Sequence, residues 1–229
     1  MPHVFATGDT HGEMQMGRLS SKGWPEGRKL TKEDYLIITG DFGILWKNEP
    51  DDTEQYWIKW LNEKKWTTIF VCGNHENHLR LQSLPIIEKF GGKVGKVSDS
   101  IFYLRRGEIY TIYEKTFFCF GGALSWDRQY RKLNVSYWEE EVPSSKEMEY
   151  AIENLKKVDN KVDYVIAHTI PQELIPIIGF SKADVDPTRN FLDFIAKNIQ
   201  HQDYYCGHMH IDKDIGKFHL LWDRIIQIF

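Results

Sequence analysis

A chain of 229 residues with 41% hydrophobic content is long enough to bury one sizeable core. A formal net charge of −4 and a pI near 6.1 exclude a broad basic surface for nucleic-acid backbones. No apolar run approaches membrane-spanning length, so a cytoplasmic protein with no membrane partner is expected. In chain order, Val4-Phe5-Ala6 reads as a strand leading into Gly8-Asp9-Thr10-His11-Gly12. Tyr35 to Thr39 is a second apolar, β-rich run, and it ends at Gly40-Asp41. Thr53 to Lys65 places Tyr56, Trp57, Trp60 and Leu61 at helical spacing. Thr67 to Cys72 reads as a strand ending at Gly73-Asn74-His75-Glu76. Asn77 to Phe90 reads as a helix that Pro85 kinks or splits.

From Val94 the hydrophobic period changes to two. Ile101 to Leu104, Glu108 to Tyr113 and Thr116 to Phe120 predict an antiparallel meander, with turns at Arg105-Arg106-Gly107 and Glu114-Lys115. Ser144 and Glu147 form the sequence signature of a capping box, for a helix running to about Lys157. Asp163 to Ala167 is a strand ending at His168, and Pro187 to Lys197 is a further helix. Tyr204-Tyr205-Cys206 leads into Gly207-His208-Met209-His210, and short strands over Gly216 to Leu221 and Arg224 to Phe229 close the chain. There is no internal repeat, low-complexity tract or linker, so one domain over residues 1–229 is expected. The cysteines Cys72, Cys119 and Cys206 are odd in number and widely spaced, which suits reduced, buried thiols rather than disulfides.

A β-α-β first half and a second half with antiparallel strands predict an α/β fold. The expected form is a four-layer α/β/β/α sandwich, with two packed mixed sheets and helices outside. Polar islands after strands fall at the carboxyl edges of those sheets, where open α/β folds bind ligands. Here those edges carry Asp, His, Asp, Asn and three more His, a ligand set for two divalent metal ions. Asp9 and His11, two residues apart, share one side of an extended segment. Gly-Asn-His-Glu is the most specific island, because a neutral amide is an unusual metal ligand and directly precedes a proton-transfer residue.

The five islands, in this order, resemble the calcineurin-like metallophosphoesterases over nearly the whole chain. The family pattern is Asp-x-His, Gly-Asp, Gly-Asn-His-Glu/Asp, a lone His and Gly-His-x-His. The resemblance implies that Asp9, His11, Asp41 and His210 bind one metal. It implies that Asp41, Asn74, His168 and His208 bind the other, with Asp41 bridging. Such a ligand set suits Mn²⁺ first, with Fe, Zn²⁺ and Ni²⁺ as alternatives, better than Ca²⁺ or a thiolate site. The segment Gly121 to Arg128, followed by Tyr137 to Glu141, is similar to a subgroup of bacterial and phage members.

The chemistry then expected is phosphoester hydrolysis by a hydroxide bridging two metals roughly 3.5–4 Å apart. His75 is expected to protonate or stabilise the leaving group. Glu76 and Asp127 are candidates to orient the imidazoles. Arg128 and Arg131 are candidate phosphate holders, with Arg105 or Arg106 as others; Trp46, Trp126 and Tyr130 are candidate stacking partners. The substrate expected is a nucleotide or another small phosphoester or phosphodiester.

A Ser/Thr-type protein phosphatase, or a nuclease acting on single-stranded or short nucleic acid, is the alternative. The phosphatase reading is weakened because Ile44 and Leu45 occupy the places of the Asp and Arg in that branch's Gly-Asp-x-x-Asp-Arg-Gly. A binding module that had lost catalysis should lack ligand histidines, and a structural zinc site should use cysteines.

Overall fold

The computed structural model describes residues 2–181 and 185–229. Strand β1 (Val4–Thr7) pairs in parallel with β2 (Tyr35–Ile38), and helix α1 (Asp52–Asn62) leads to β3 (Thr67–Phe70), parallel to β2. A short helix α2 (His78–Ser83) precedes the edge hairpin of β4 (Ile86–Lys89) and β5 (Gly92–Ser98). β6 (Ile101–Leu104) then inserts between β5 and β3. The second sheet takes β7 (Ile109–Ile112) and β8 (Lys115–Phe120), then helix α3 (Ser145–Lys157), β9 (Tyr164–Ala167) and helix α4 (Pro187–Asn198). β10 (Asp203–Cys206), β11 (Lys213–Ile215) and β12 (Phe218–Leu220) complete it, and β13 (Ile225–Gln227) returns to pair with β1. The strand orders are β13-β1-β2-β3-β6-β5-β4 and β11-β12-β10-β9-β8-β7.

Alternation within each strand builds the layers, because successive side chains point to opposite faces. Val4, Ala6, Ile37 and Ile69 face Tyr110, Phe117, Ile166 and Tyr205 of the other sheet, forming a buried core between the sheets. Phe5, Leu36, Ile38 and Phe70 point outward, against Leu61, Trp57 and Trp60 of α1. On the far side Phe118, Phe120, Val165 and Tyr204 pack on Ala151 and Leu155 of α3 and on Phe191, Leu192 and Ile195 of α4. The result is the expected α/β/β/α sandwich. All three cysteines are free and buried. Among the described residues no helix is long and apolar enough to cross a membrane.

Two expectations need correction. The helix expected over Asn77 to Phe90 ends at Ser83, and Ile86–Lys89 is a strand. Proline disfavours helical backbone in the residue before it, and Leu84 sits at ψ 142°, so the chain is extended from there. Phe90 and Gly91, at φ 58° and 77°, then make the two-residue turn into β5. A phenylalanine in left-handed backbone hides that turn from a reader of turn residues.

The meander over residues 101–120 is also split. β6 lies parallel to β3 in the first sheet, whereas β7 and β8 form a hairpin in the second, turning at Tyr113-Glu114. Arg105-Arg106-Gly107 is therefore the passage between sheets. Buried Arg106 secures it by donating to the carbonyls of Gly121 and Glu141, both at 2.9 Å, and to Glu147 Oε1 at 3.2 Å. With its guanidinium so occupied, Arg106 is a structural arginine.

Candidate metal centre

The parallel strands β1, β2 and β3 deliver Asp9, His11, Asp41, Asn74 and His75 to one edge, and β9 and β10 deliver His168, His208 and His210. The chain turns sharply there. His11, Asp41, His208 and His210 all hold left-handed backbone, at φ 46°, 47°, 65° and 50°. Such conformations are costly without glycine and persist where surrounding structure enforces them, commonly at functional sites.

Donor atoms converge in two groups, Asp9, His11, Asp41 and His210 in one and Asp41, His168 and His208 in the other, with ligand atoms in each within 4.8 Å of one another. His11 Nε2 lies 3.2 Å from Asp41 Oδ2, and His210 Nε2 lies 3.2 Å from Asp9 Oδ2. His168 Nε2 lies 3.3 Å from Asp41 Oδ1 and 3.1 Å from Asn74 Oδ1. Asp41 is common to both groups.

The bonds around His168 test whether a cation fits. Its Nδ1 is 2.9 Å from the Thr39 carbonyl, so the Nδ1 proton is used there. The Asn74 amide is also fixed, because Nδ2 donates to Ser125 Oγ at 3.1 Å. In the neutral tautomer the Nε2 lone pair therefore faces two acceptor oxygens, those of Asn74 and Asp41, in a buried space. A second proton or a metal cation must lie between them. The mixed oxygen and imidazole donors, with no thiolate, fit a divalent metal.

Electrostatics agrees. Burial would raise the Asp41 carboxyl, yet the imidazoles of His168, His11 and His75 hold it well below the usual carboxylate range. Burial and neighbouring His168 push His208 well down, leaving a neutral imidazole, the form that ligates metal. Burial lowers His11, but Asp41 outweighs it and the net shift is upward.

Two glycines allow the approach. A Cβ on Gly73 would stand 2.0 Å from Asp41 Oδ1, and one on Gly207 would stand 2.0 Å from Asp9 Oδ1. The same carboxylates accept from the backbone, Asp41 from His75 N at 2.7 Å and Asp9 from His208 N at 3.0 Å.

The supporting residues differ from those expected. Among the described residues Glu76 hydrogen-bonds to backbone amides rather than to an imidazole. It accepts from Gly73 N at 2.5 Å and Gly43 N at 3.2 Å, tying two site loops together; burial and nearby Asp41 raise its carboxyl well above the usual range. Asp127 pairs with Arg131 Nε at 2.7 Å. Arg131 Nη2 in turn lies 3.0 Å from His75 Nε2, and Trp46 stacks on that imidazole at 5.5 Å. Burial is the main cause lowering His75, against Asp41, with Arg131 lowering it further.

Arg128 is bound to buried Glu141 at 2.7 Å; Glu141 also accepts from the backbone and hydroxyl of Ser125. Arg131 and Trp126, but not Arg128 or Tyr130, line the cavity over Asp41, Asn74 and His208. Sequence reasoning missed Ser125, Glu141, Thr39, Arg189 and Trp222, which stacks on His210 at 4.0 Å. The segments Gly121 to Arg128 and Tyr137 to Glu141 had marked Ser125 and Glu141, and nothing in the linear pattern marks the other three.

The class follows from fold and site together. A family model for the calcineurin-like phosphoesterases matches residues 2–212, and the chain belongs to that family. It is therefore a metal-dependent phosphoesterase. The chain has no match among curated proteins.

Proposed function

We propose that the chain hydrolyses a small phosphoester, a nucleotide or a short phosphodiester, at a centre of two divalent metals, with Mn²⁺ the preferred ion. Asp9, His11, Asp41 and His210 hold one ion; Asp41, Asn74, His168 and His208 hold the other. The observation that carries this reading is the position of Asp41, whose two oxygens face different ligand groups at 3.2 and 3.3 Å. When bound, two such ions supply Lewis acidity toward phosphate oxygens and a nucleophilic water near neutral pH.

The chain's own residues do the rest. Arg131, on the cavity wall, holds a phosphate oxygen with the guanidinium N–H groups not directed at His75, Asp127 or the Ser136 carbonyl. His75 serves the leaving oxygen, a role worth about 10²–10⁴-fold. With Nε2 accepting from Arg131, the neutral imidazole carries its proton on Nδ1. Arg128 supports the loop through Glu141 and does not reach substrate.

A phosphoprotein substrate is disfavoured, because buried apolar Ile44 and Leu45 offer no group to phosphate. The net charge of −4 supports a small substrate over extended nucleic acid.

The test is Asp41→Asn, with chelation in parallel, on a panel of phosphate mono- and diesters. Metal content and activity should fall together in the variant. In the parent protein, chelation should abolish activity and Mn²⁺ should restore it. Full activity in excess chelator, with metal absent by elemental analysis, would sink the reading.

A further inference from the structure

We infer that the substrate is a phosphodiester with a sizeable apolar or aromatic substituent on each side of phosphorus, an inference that rests on the phosphoesterase reading above and narrows it. Two cavities meet at the metal centre, and the imidazoles of His75 and His210 line both. The first, about 590 Å³, adjoins Asp41, Asn74 and His208 and runs between Leu124, Trp126, Phe180 and Met209. The second, about 480 Å³, adjoins His11 and runs between Met14, Ile44, Trp46 and Trp57. Each lies within the roughly 300–1,000 Å³ of a ligand pocket. A phosphate seated between them directs one substituent into each cavity if it is a diester. A monoester fills one and leaves the other in water.

Two observations favour the diester. Trp126 and Met14, one in each cavity, are 78% and 79% exposed, so each presents a large apolar side chain that a ligand would cover. Among the described residues, the cationic side chains lining the cavities are also already paired, Arg131 with Asp127, Lys47 with Asp51 and Arg189 with Asp186. A diester carries one negative charge where a monoester carries up to two, and so needs less surplus cation. In the reaction the water oxygen forms a new bond to phosphorus and the bond to one ester oxygen breaks. That oxygen departs as an alcohol with one proton from the water, and a phosphomonoester remains.

The experiment compares bis(4-nitrophenyl) phosphate, methyl 4-nitrophenyl phosphate and 4-nitrophenyl phosphate in Mn²⁺, with the parent, Trp126→Ala and Met14→Ala proteins. Both side chains are exposed, so truncation removes no core packing. The bis-aryl diester should exceed the other two in kcat/KM by about tenfold or more. Each variant should lower kcat/KM for that diester about five- to tenfold more than for the monoester. Chelator-sensitive turnover with the monoester equal or better would overturn the inference and leave the phosphoesterase reading standing. So would equal losses on both substrates, or a selective loss from only one variant, which would reduce the site to one arm. No chelator-sensitive turnover of any of the three would remove both readings.

Discussion

Arg131 Nη2 lies 3.0 Å from His75 Nε2, so a permanent cation occupies one ring nitrogen of the imidazole and leaves Nδ1 for any other partner. The pair therefore acts as a unit, and its two members should fail differently. His75→Ala should keep both metals and lose about 10²-fold or more in rate, with a smaller loss on nitrophenyl esters, whose leaving group needs little protonation. Arg131→Ala should raise KM as well, on every ester tested, because it removes a phosphate contact; Arg131→Lys should recover only part, since a single ammonium replaces the fork. A loss in His75→Ala that is the same for good and poor leaving groups would remove His75 from that role.

Gly207 lies so close to Asp9 that a methyl group cannot be added without moving the carboxylate. Its φ is outside the left-handed region, so alanine would be acceptable to the backbone and the clash alone should act. Gly207→Ala should weaken metal binding by about tenfold or more, in line with other disturbances next to a metal ligand. Calorimetric titration of the metal-free protein with Mn²⁺ reads this directly, and parent-like affinity would contradict it.

Ser125 stands between Glu141 and the Asn74 amide. Without its hydroxyl the amide can rotate and turn its nitrogen toward the metal position. Ser125→Ala should weaken the ion shared with His168 and His208 about 10–100-fold, while the ion held by His11 and His210 binds as before. Metal titration should then resolve one tight and one weak site where the parent should show two tight ones. Two unaltered sites would show that Asn74 is oriented without Ser125.

Asp214 sets an acid limit on stability. Arg224 and His219 hold its carboxyl down at about 2, against an ordinary 3.8. A carboxyl depressed in the folded state contributes stability above its unfolded value and loses it as pH falls toward the folded one. The contribution should thus be complete above about pH 5 and fade between roughly pH 4 and 2. Asp214 is half exposed, so solvent keeps the effect small. Asp214→Asn should lower the urea midpoint at pH 7 and match the parent near pH 2. An equal gap at both pH values would exclude this ionisation as the cause.

The candidate ligands were legible in the sequence because each follows directly on a strand-forming run, so local signals placed Asp9, Asp41, Asn74, His168 and His208 at strand ends. The β-α-β order of the first half and the antiparallel strands of the second carried the two-sheet, four-layer form, since each sheet must bury both faces against partners. The ends of β4 and the split between β6 and β7 were not legible. They depend on Leu84 and Phe90 adopting particular backbone angles, and on Arg106 meeting carbonyls 15 and 35 residues away.

The two arginines show the limit most clearly. Arg128 and Arg131 are three positions apart in one loop, with the same side chain and no local feature to separate them. Glu141 captures the first and His75 adjoins the second. Sequence alone determined which atoms can ligate metal. Only the tertiary structure decided which cations remain beside the site, because long side chains find their partners through space and pairwise burial, not through spacing along the chain.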